Sequence, residues 1–110
     1  MDSNEFEKSK VFSFSESIDY SDGGIVSKTV LKKQTGNISL FSFAKGEALS
    51  EHIAPFDAMI TVVDGKGEVV IGVKTFILTS GETIIMPANI PHAVNAVEKF
   101  KMVLTMIKSS

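Results

Sequence analysis

The chain has 110 residues, of which 44% are hydrophobic and 22% charged, and its formal net charge is -2. This length supports one domain, and basic residues scattered among acidic ones argue against a nucleic-acid partner. The sequence contains no cysteine, which excludes disulfides, thiolate nucleophiles and thiolate metal ligands.

Turn signals built from Gly, Pro, Asn and Asp recur at short intervals between residues 22 and 91. The segments between them are rich in Val, Ile, Thr and Phe, and none repeats apolar residues at helical spacing over three turns. GKG at 65–67 predicts a hairpin turn. The predicted strands are IVSKTVLKK (25–33), ISLFSFA (38–44), MITVVD (59–64), EVVIGVK (68–74), TFILT (75–79), TIIM (83–86) and FKMVLTMI (100–107).

These strands predict an all-β fold. Short antiparallel strands at even spacing close into a barrel or stack as a sandwich, because an open sheet would expose its edges and one apolar face. A single jelly-roll β-barrel filling residues 1–110 is the most economical arrangement, with residues 1–8 disordered or forming an extended arm.

The start of the chain is polar and acidic, unlike a signal peptide, and no apolar run approaches the ~18 residues that a membrane-spanning helix requires. We therefore expect a cytoplasmic protein with no membrane partner.

Alternation along the last strand predicts which side chains face the interior. Met102, Leu104 and Met106 are large and apolar at every second position, so we expect them to point inward. Phe41 and Phe43 share one face of an earlier strand and are also expected in the core.

The opposite faces of two strands are more apolar than a solvated surface requires. Val103 and Ile107 lie there on the last strand, and Met59 and Val63 on an earlier one. Such faces indicate that part of the outside is covered, and a partner subunit is the obvious cover, which predicts a homodimer. The alternative is that they are isolated apolar surface residues of the ordinary kind.

The chain has two histidines, His52 in GEALSEHIAPFDA and His92 in MPANIPHAV. By themselves they are a weak signal, because a lone histidine near a strand end is more often a hydrogen-bonded structural residue than a ligand.

The surroundings of both histidines resemble the two sequence motifs of the cupin superfamily. The first motif has a glycine, five residues, His-x-His, an acid and a closing glycine; the second has a glycine, five residues, a proline and a histidine. The resemblance spans residues 46–96 and implies a cupin barrel. The matching residues are Gly46, His52 and Gly65 in the first motif and Gly81, Pro87 and His92 in the second.

The chain departs from the motifs at the metal ligands. Metal-binding cupins take two histidines and a glutamate from the first motif and one histidine from the second, but here Ala54 and Ala58 stand at two of these positions. Asp57 is displaced by one residue, which turns its side chain to the other face of a strand. We therefore expect no cofactor and no dedicated metal; a weakly bound divalent ion would have only His52 and His92 as ligands.

An apolar cavity with two imidazoles is typical of a small-molecule pocket. Positions 52, 54 and 58 share one face if a single strand runs through them, and the interior positions of neighbouring strands would complete the lining. The expected pocket residues are His52, His92, Ala54, Ala58, Ile60, Met102, Leu104 and Met106.

The leading hypothesis is a small single-domain cupin that binds a small organic molecule, and the sequence leaves open whether any reaction follows. A second hypothesis is a metal-dependent enzyme of the dioxygenase or isomerase type, with the metal held by His52 and His92; in a variant without metal, one imidazole acts as base and the other as acid. A third is a sensory or structural module. The fold alone does not decide among these three hypotheses.

Overall fold

The computed structural model describes residues 5–108, which contain eight β-strands and no helix. It follows that no helix in these residues could span a membrane. The strands are β1 (Ile25–Lys33), β2 (Gly36–Phe43), β3 (Ala48–His52), β4 (Asp57–Ile71), β5 (Lys74–Thr79), β6 (Thr83–Met86), β7 (His92–Asn95) and β8 (Phe100–Ile107).

All strand pairs are antiparallel, and β4 belongs to two sheets. The large sheet has the order β1-β2-β8-β4-β6, and the small sheet has the order β3-β7-β4-β5. The two sheets enclose one apolar core, because a sheet that is apolar on one face is stable only when that face is buried against another element. The all-β jelly-roll prediction is confirmed.

The predicted hairpin at GKG is wrong, because β4 continues through it from one sheet to the other. Gly65 pairs with Phe100 in the large sheet, whereas Gly67 pairs with Leu78 in the small sheet. A Cβ on Gly65 would lie 2.1 Å from the carbonyl oxygen of Lys99, and one on Gly67 would lie 2.6 Å from the Phe100 ring. Glycine is needed here because the strand crosses directly over Phe100.

The core lies between the two sheets and confirms the predicted inward face of β8. Met102 is fully buried, while Leu104 and Met106 pack against the same cluster at partial exposure. Phe43 and Phe100 stack with their ring centroids 4.6 Å apart, and Phe41 packs beside them. The interior therefore combines stacked aromatic rings near the β4 crossing with aliphatic side chains further along the strands.

The outer face of the large sheet is covered in part by the chain's own N-terminal segment, residues 5–20. Ile18 of this segment is buried against Val30, Leu40 and Val103, with partly buried Phe6, Phe14 and Val63 around them. This finding corrects the explanation of the apolar outer positions: Val103 and Val63 need no partner subunit as cover. Ile107 remains 70% exposed.

Hydrogen bonds hold the N-terminal segment in place. The amide of Phe6 donates to the carbonyl oxygen of Val30 at 3.0 Å, and the Ser42 hydroxyl donates to that of Asp19 at 2.8 Å. The Tyr20 hydroxyl donates to Asp64 at 2.5 Å, and burial together with this carboxylate raises the pKa of Tyr20. Residues 1–4 of the predicted arm lie outside the described residues.

Two glycines with positive φ allow a matched stability comparison. Gly65 has φ +79° and no room for a Cβ, whereas Gly81 has φ +94° and nothing within 4 Å of a Cβ. We expect Gly81→Ala to lower the free energy of unfolding by about 1 kcal/mol through backbone strain alone. Gly65→Ala should cost distinctly more, because the strand must also move away from β8. Urea unfolding of both variants measures the difference, and equal losses would contradict the crossing described above.

Candidate functional site

The pairing of β3 with β7 brings the two histidines together. His52 is the last residue of β3, His92 is the first residue of β7, and the register places them directly opposite each other. His92 is also opposite Ile71, the last residue of β4. The predicted convergence of His52 and His92 therefore occurs at one end of the small sheet, which we call the histidine end.

The two imidazoles meet through the same ring atom. The Nε2 atoms of His52 and His92 are 3.1 Å apart, and the ring centroids are 4.3 Å apart at an interplanar angle of 69°. This is hydrogen-bond distance for two nitrogens. The rings are arranged edge to face rather than stacked, and their closest polar approach is between the two Nε2 atoms.

Backbone carbonyls fix the orientation of both rings. Nδ1 of His52 is 2.9 Å from the carbonyl oxygen of Ser50, and Nδ1 of His92 is 3.2 Å from that of Ile90. A carbonyl oxygen only accepts, so the hydrogen-bond network assigns the proton to Nδ1 in each ring. In the neutral form, each Nε2 then carries a lone pair, and the two lone pairs converge.

Burial differs between the two histidines and affects the charge of His92. His92 is 6% exposed, whereas His52 is exposed. Burial lowers the pKa of His92 and the neighbouring His52 lowers it further, while the hydrogen bond to Ile90 acts in the opposite direction. His92 is therefore neutral near pH 7, which keeps its Nε2 available as an acceptor.

The two alanines at the vacant ligand positions lie on different structural elements. Ala54 is half-buried in the loop at 53–56, and Ala58 is buried near the start of β4. Because residues 53–56 are not a strand, alternation does not extend from His52 to Ala58. The loop is instead positioned by a hydrogen bond from the Asn89 amide to the Ala54 carbonyl oxygen at 2.7 Å.

Asp57 has a structural contact. One of its carboxylate oxygens accepts a hydrogen bond from the amide of Ala88 at 2.8 Å. Together with the Asn89 contact, this bond ties the start of β4 and the loop before it to the loop before His92. The beginning of β4, in the large sheet, is thereby brought to the histidine end.

The other predicted pocket residues belong to the core of the large sheet. Ile60 and Met102 have no exposed surface, whereas Leu104 and Met106 are half-buried. Leu104 lies opposite Ile60, and Met106 lies opposite Ala58. Leu104 and Met106 therefore expose some apolar surface, while Ile60 and Met102 are fully buried in the core next to them. The role of these four residues in a pocket stays a prediction.

The sequence interpretation missed one polar residue on the inner face. Asn37 lies opposite Met106 and is separated from Phe41 and Phe43 by an even number of positions along β2. Its side chain therefore shares their inward face. Its Oδ1 atom is buried without a hydrogen-bond partner among the described residues. The signal was present in the alternation of β2, where Asn37 occupies the same face as the two phenylalanines.

The donor set at the histidine end is one ligand short of a dedicated metal site. Residues 5–108 contain no group of three or more His, Cys, Asp or Glu side chains placed to hold one ion. Ala54 and Ala58 carry no lone pair, and protein metal sites that retain their ion use three or four protein ligands. The residues present do not fit the full metal centre that the motifs imply.

Acidification provides a test of the buried neutral His92. Because its pKa is lower in the folded chain than in the unfolded chain, the unfolded state binds the proton more readily. The free energy of unfolding should therefore be steady above pH ~7.5 and fall as pH drops through ~6.5, the ordinary histidine pKa. Urea unfolding between about pH 5.5 and 8 measures this slope, which should be weaker in His92→Gln. Equal slopes in both proteins would contradict this assignment.

Comparison with known proteins identifies a family that this chain matches. Residues 39–108 match the family described as the cupin domain. A comparison with curated proteins gave no match.

Solved structures agree with this family. A conserved protein of unknown function from Streptococcus pyogenes is 36% identical, with 97% of this chain and 94% of that chain covered and a TM-score of 0.92. A cupin 2 conserved barrel domain protein from Leptotrichia buccalis is 46% identical over 88% of this chain and 47% of that chain, with a TM-score of 0.85. A cupin superfamily protein from Desulfitobacterium hafniense, at 24% identity and 96% coverage of both chains, shares the fold with a TM-score of 0.86.

The family match covers more than half of the chain, and the motif histidines meet where β3 pairs with β7. The chain belongs to the cupin superfamily, and its described residues form one cupin barrel.

Proposed function

We propose that this cupin binds a small, largely apolar organic molecule that carries a hydroxyl or amino hydrogen-bond donor, and that it does so without a dedicated metal. One observation carries the proposal. Both Nδ1 atoms face backbone carbonyl oxygens, so the Nε2 lone pairs of His52 and His92 point at the same place, 3.1 Å apart.

The two converging Nε2 lone pairs need a hydrogen-bond donor or a cation between them. Neutral imidazoles cannot satisfy each other through two acceptors, so the pair is satisfied by a donor hydrogen, an additional proton or a cation. A hydroxyl or amino group of a ligand supplies such a hydrogen, and burial of His92 makes that bond stronger than it would be in water.

The surroundings favour an apolar ligand body. Ala54 and Ala58 replace the ligating side chains of the first motif with methyl groups, and the half-buried Leu104 and Met106 add apolar surface on the large sheet. Small-molecule sites commonly combine an apolar lining with a few polar groups that fix orientation. The histidine pair would serve as that orienting group.

A metal-dependent enzyme is the second candidate, and one distance favours it. Two nitrogens bound to one tetrahedral ion at ~2.05 Å are about 3.3 Å apart, close to the 3.1 Å between the Nε2 atoms. The backbone carbonyls also orient both rings as histidine ligands are usually oriented. Without a third protein ligand, the ion would be bound weakly and mainly by water, and its Lewis acidity would supply the chemistry.

A matched pair of probes tests the proposed ligand class. Phenol and anisole have the same ring, but only phenol carries a donor. In protein with ¹⁵N-labelled histidine, we expect phenol to shift the Nε2 resonances of both histidines in a saturable way, and anisole to shift them far less. The same spectra should place the proton on Nδ1 in each neutral ring.

The outcomes separate the two candidate functions. Equal shifts with phenol and anisole, or none with either, would rule out a donor-selective site. One Zn²⁺ per chain retained through desalting, and lost in His52→Ala, would instead establish the metal site. Loss of the phenol response in His92→Gln, with a folded spectrum, would confirm the histidine pair as the contact.

Restoring the missing ligands should create a metal site. Ala54→His with Ala58→Glu supplies the two side chains that the motifs lack, so the double variant should retain Zn²⁺ or Ni²⁺ through desalting while the parent loses it. The melting temperature of the variant should rise when metal is added, because the ion binds only the folded state. Metal analysis and thermal unfolding provide the two readouts.

The control for this variant is Ala54→Asn with Ala58→Gln, which adds polar side chains of weaker ligating power at the same positions. It should lose metal as the parent does. A folded Ala54→His, Ala58→Glu variant that binds no metal would show that these positions do not converge with the histidines.

A further inference from the structure

The row of residues that contains the two histidines continues across the small sheet to a lysine. His52 lies opposite His92, His92 lies opposite Ile71, and Ile71 lies opposite Lys74 at the start of β5. Directly paired residues share a face of the sheet. Because His92 is buried and Ile71 packs against the core, this row is on the inner face. Lys74 therefore lies on the same face of the sheet as the imidazoles.

The charge of Lys74 has no acidic partner among residues 5–108. The one ion pair found in these residues joins Lys10 to Glu7. Lys28 and Lys101, by contrast, donate hydrogen bonds to backbone carbonyl oxygens of the N-terminal segment. Lys74 is exposed on a strand at the edge of its sheet, so its ammonium group is accessible to a ligand.

The barrel wall is open beside Lys74. Among the described residues, β5 and β6 each pair with β4 and not with each other. A cavity of about 330 Å³ lies between them, with Phe76, Leu78 and Ile84 in its lining. Phe76, the next residue after Lys74 on the inner face of β5, is 36% exposed although its partner Val69 is buried. The inner face near Lys74 therefore has an aromatic surface that a ligand can reach.

The spacing of the two polar groups limits the size of a ligand that contacts both. β4 separates β7 from β5, so the backbones of His92 and Lys74 are roughly 10 Å apart, two inter-strand spacings. The long side chain of Lys74 spans part of this distance. A single aromatic ring with a hydroxyl at one end and a carboxylate at the other fits the remainder, with the ring over Ile71 and beside Phe76.

We propose that the ligand of this cupin is a small aromatic hydroxy acid, whose carboxylate is bound by Lys74 while its hydroxyl donates to the histidine pair. This inference rests on the proposed function, because the hydroxyl contact is the donor contact proposed there. A lysine ammonium group donates charge-assisted hydrogen bonds to a carboxylate, and these are stronger than neutral ones. The histidine pair thereby selects the donor, and Lys74 selects the negative charge.

Three probes with the same ring separate the two contacts. Phenol, 4-hydroxybenzoate and 4-hydroxybenzamide all carry the hydroxyl, but only 4-hydroxybenzoate is charged near neutral pH. We expect all three to shift the Nε2 resonances of both histidines in ¹⁵N-labelled protein. 4-Hydroxybenzoate should bind about fivefold more tightly than 4-hydroxybenzamide, the upper range for an exposed ion pair. This preference should weaken as salt is added.

Substitutions in one strand pair provide the matched controls. Lys74→Gln should abolish the preference for the charged probe, and Lys74→Arg should keep it. Lys66→Gln removes the same charge at the other end of the β4–β5 pair, where the exposed Lys66 lies opposite Thr79. It should keep the preference. Circular dichroism should show the parent's β spectrum in all three variants.

The outcomes distinguish this inference from the proposed function. A phenol response with equal affinities for 4-hydroxybenzoate and 4-hydroxybenzamide would overturn the role of Lys74 and leave the proposed function standing. A preference that survives Lys74→Gln, or that Lys66→Gln also abolishes, would do the same. No response to phenol would overturn the proposed function, and this inference with it.

Discussion

The contact between β4 and Phe100 organises the whole molecule. β4 is the only strand among the described residues that belongs to both sheets, and it changes sheets where Gly65 and Gly67 pass over the Phe100 backbone and ring. Any side chain at these positions would push the two sheets apart. Because the two sheets meet through this one strand, its crossing sets how the large sheet faces the small one, and with it the space that the core fills.

The histidine end depends on this crossing and on two loops. β4 begins near Ala58 in the large sheet and ends at Ile71, opposite His92, in the small sheet. The amide of Ala88 donates to Asp57 at the start of β4, and the amide of Asn89 donates to Ala54 in the preceding loop. These bonds bring the start of β4 towards the loop that leads to His92. The orientation of the imidazoles is set more locally, by backbone carbonyls two residues before each histidine. The global fold brings the rings together, and the local backbone decides which nitrogen they present.

Much of the fold could be predicted from the sequence because alternation and turn residues report it directly. The bounds of β8 and the inward face of Met102 follow from alternation alone. The GKG segment could not be assigned in this way, because glycines that allow a turn and glycines that allow a close crossing look the same in a sequence. Only the position of Phe100, more than thirty residues later, distinguishes them.

The candidate site was predictable in part for a similar reason. The motif spacing predicted that His52 and His92 converge, but the argument from one strand face failed at 53–56, where the chain leaves the sheet. The cover over Val103 was also misassigned, because a segment such as residues 5–20, without regular alternation, gives no signal of the surface on which it packs.

Alternation on β4 and β8 separates the inner face, which carries the proposed ligand site, from the outer face, although both faces belong to the same strands. Ala58 and Met106 face inward as one cross-strand pair, and Met59 and Thr105, the adjacent pair, face outward. Moving either strand by one residue would exchange the two faces, so both faces depend on one register. That register is held in the middle of β4, where its pairing with β8 ends: Gly65 meets Phe100 there, and Tyr20 donates to Asp64. The N-terminal segment therefore does more than cover Val103: through Tyr20, it helps to fix the strand alignment on which the inner and outer faces both depend.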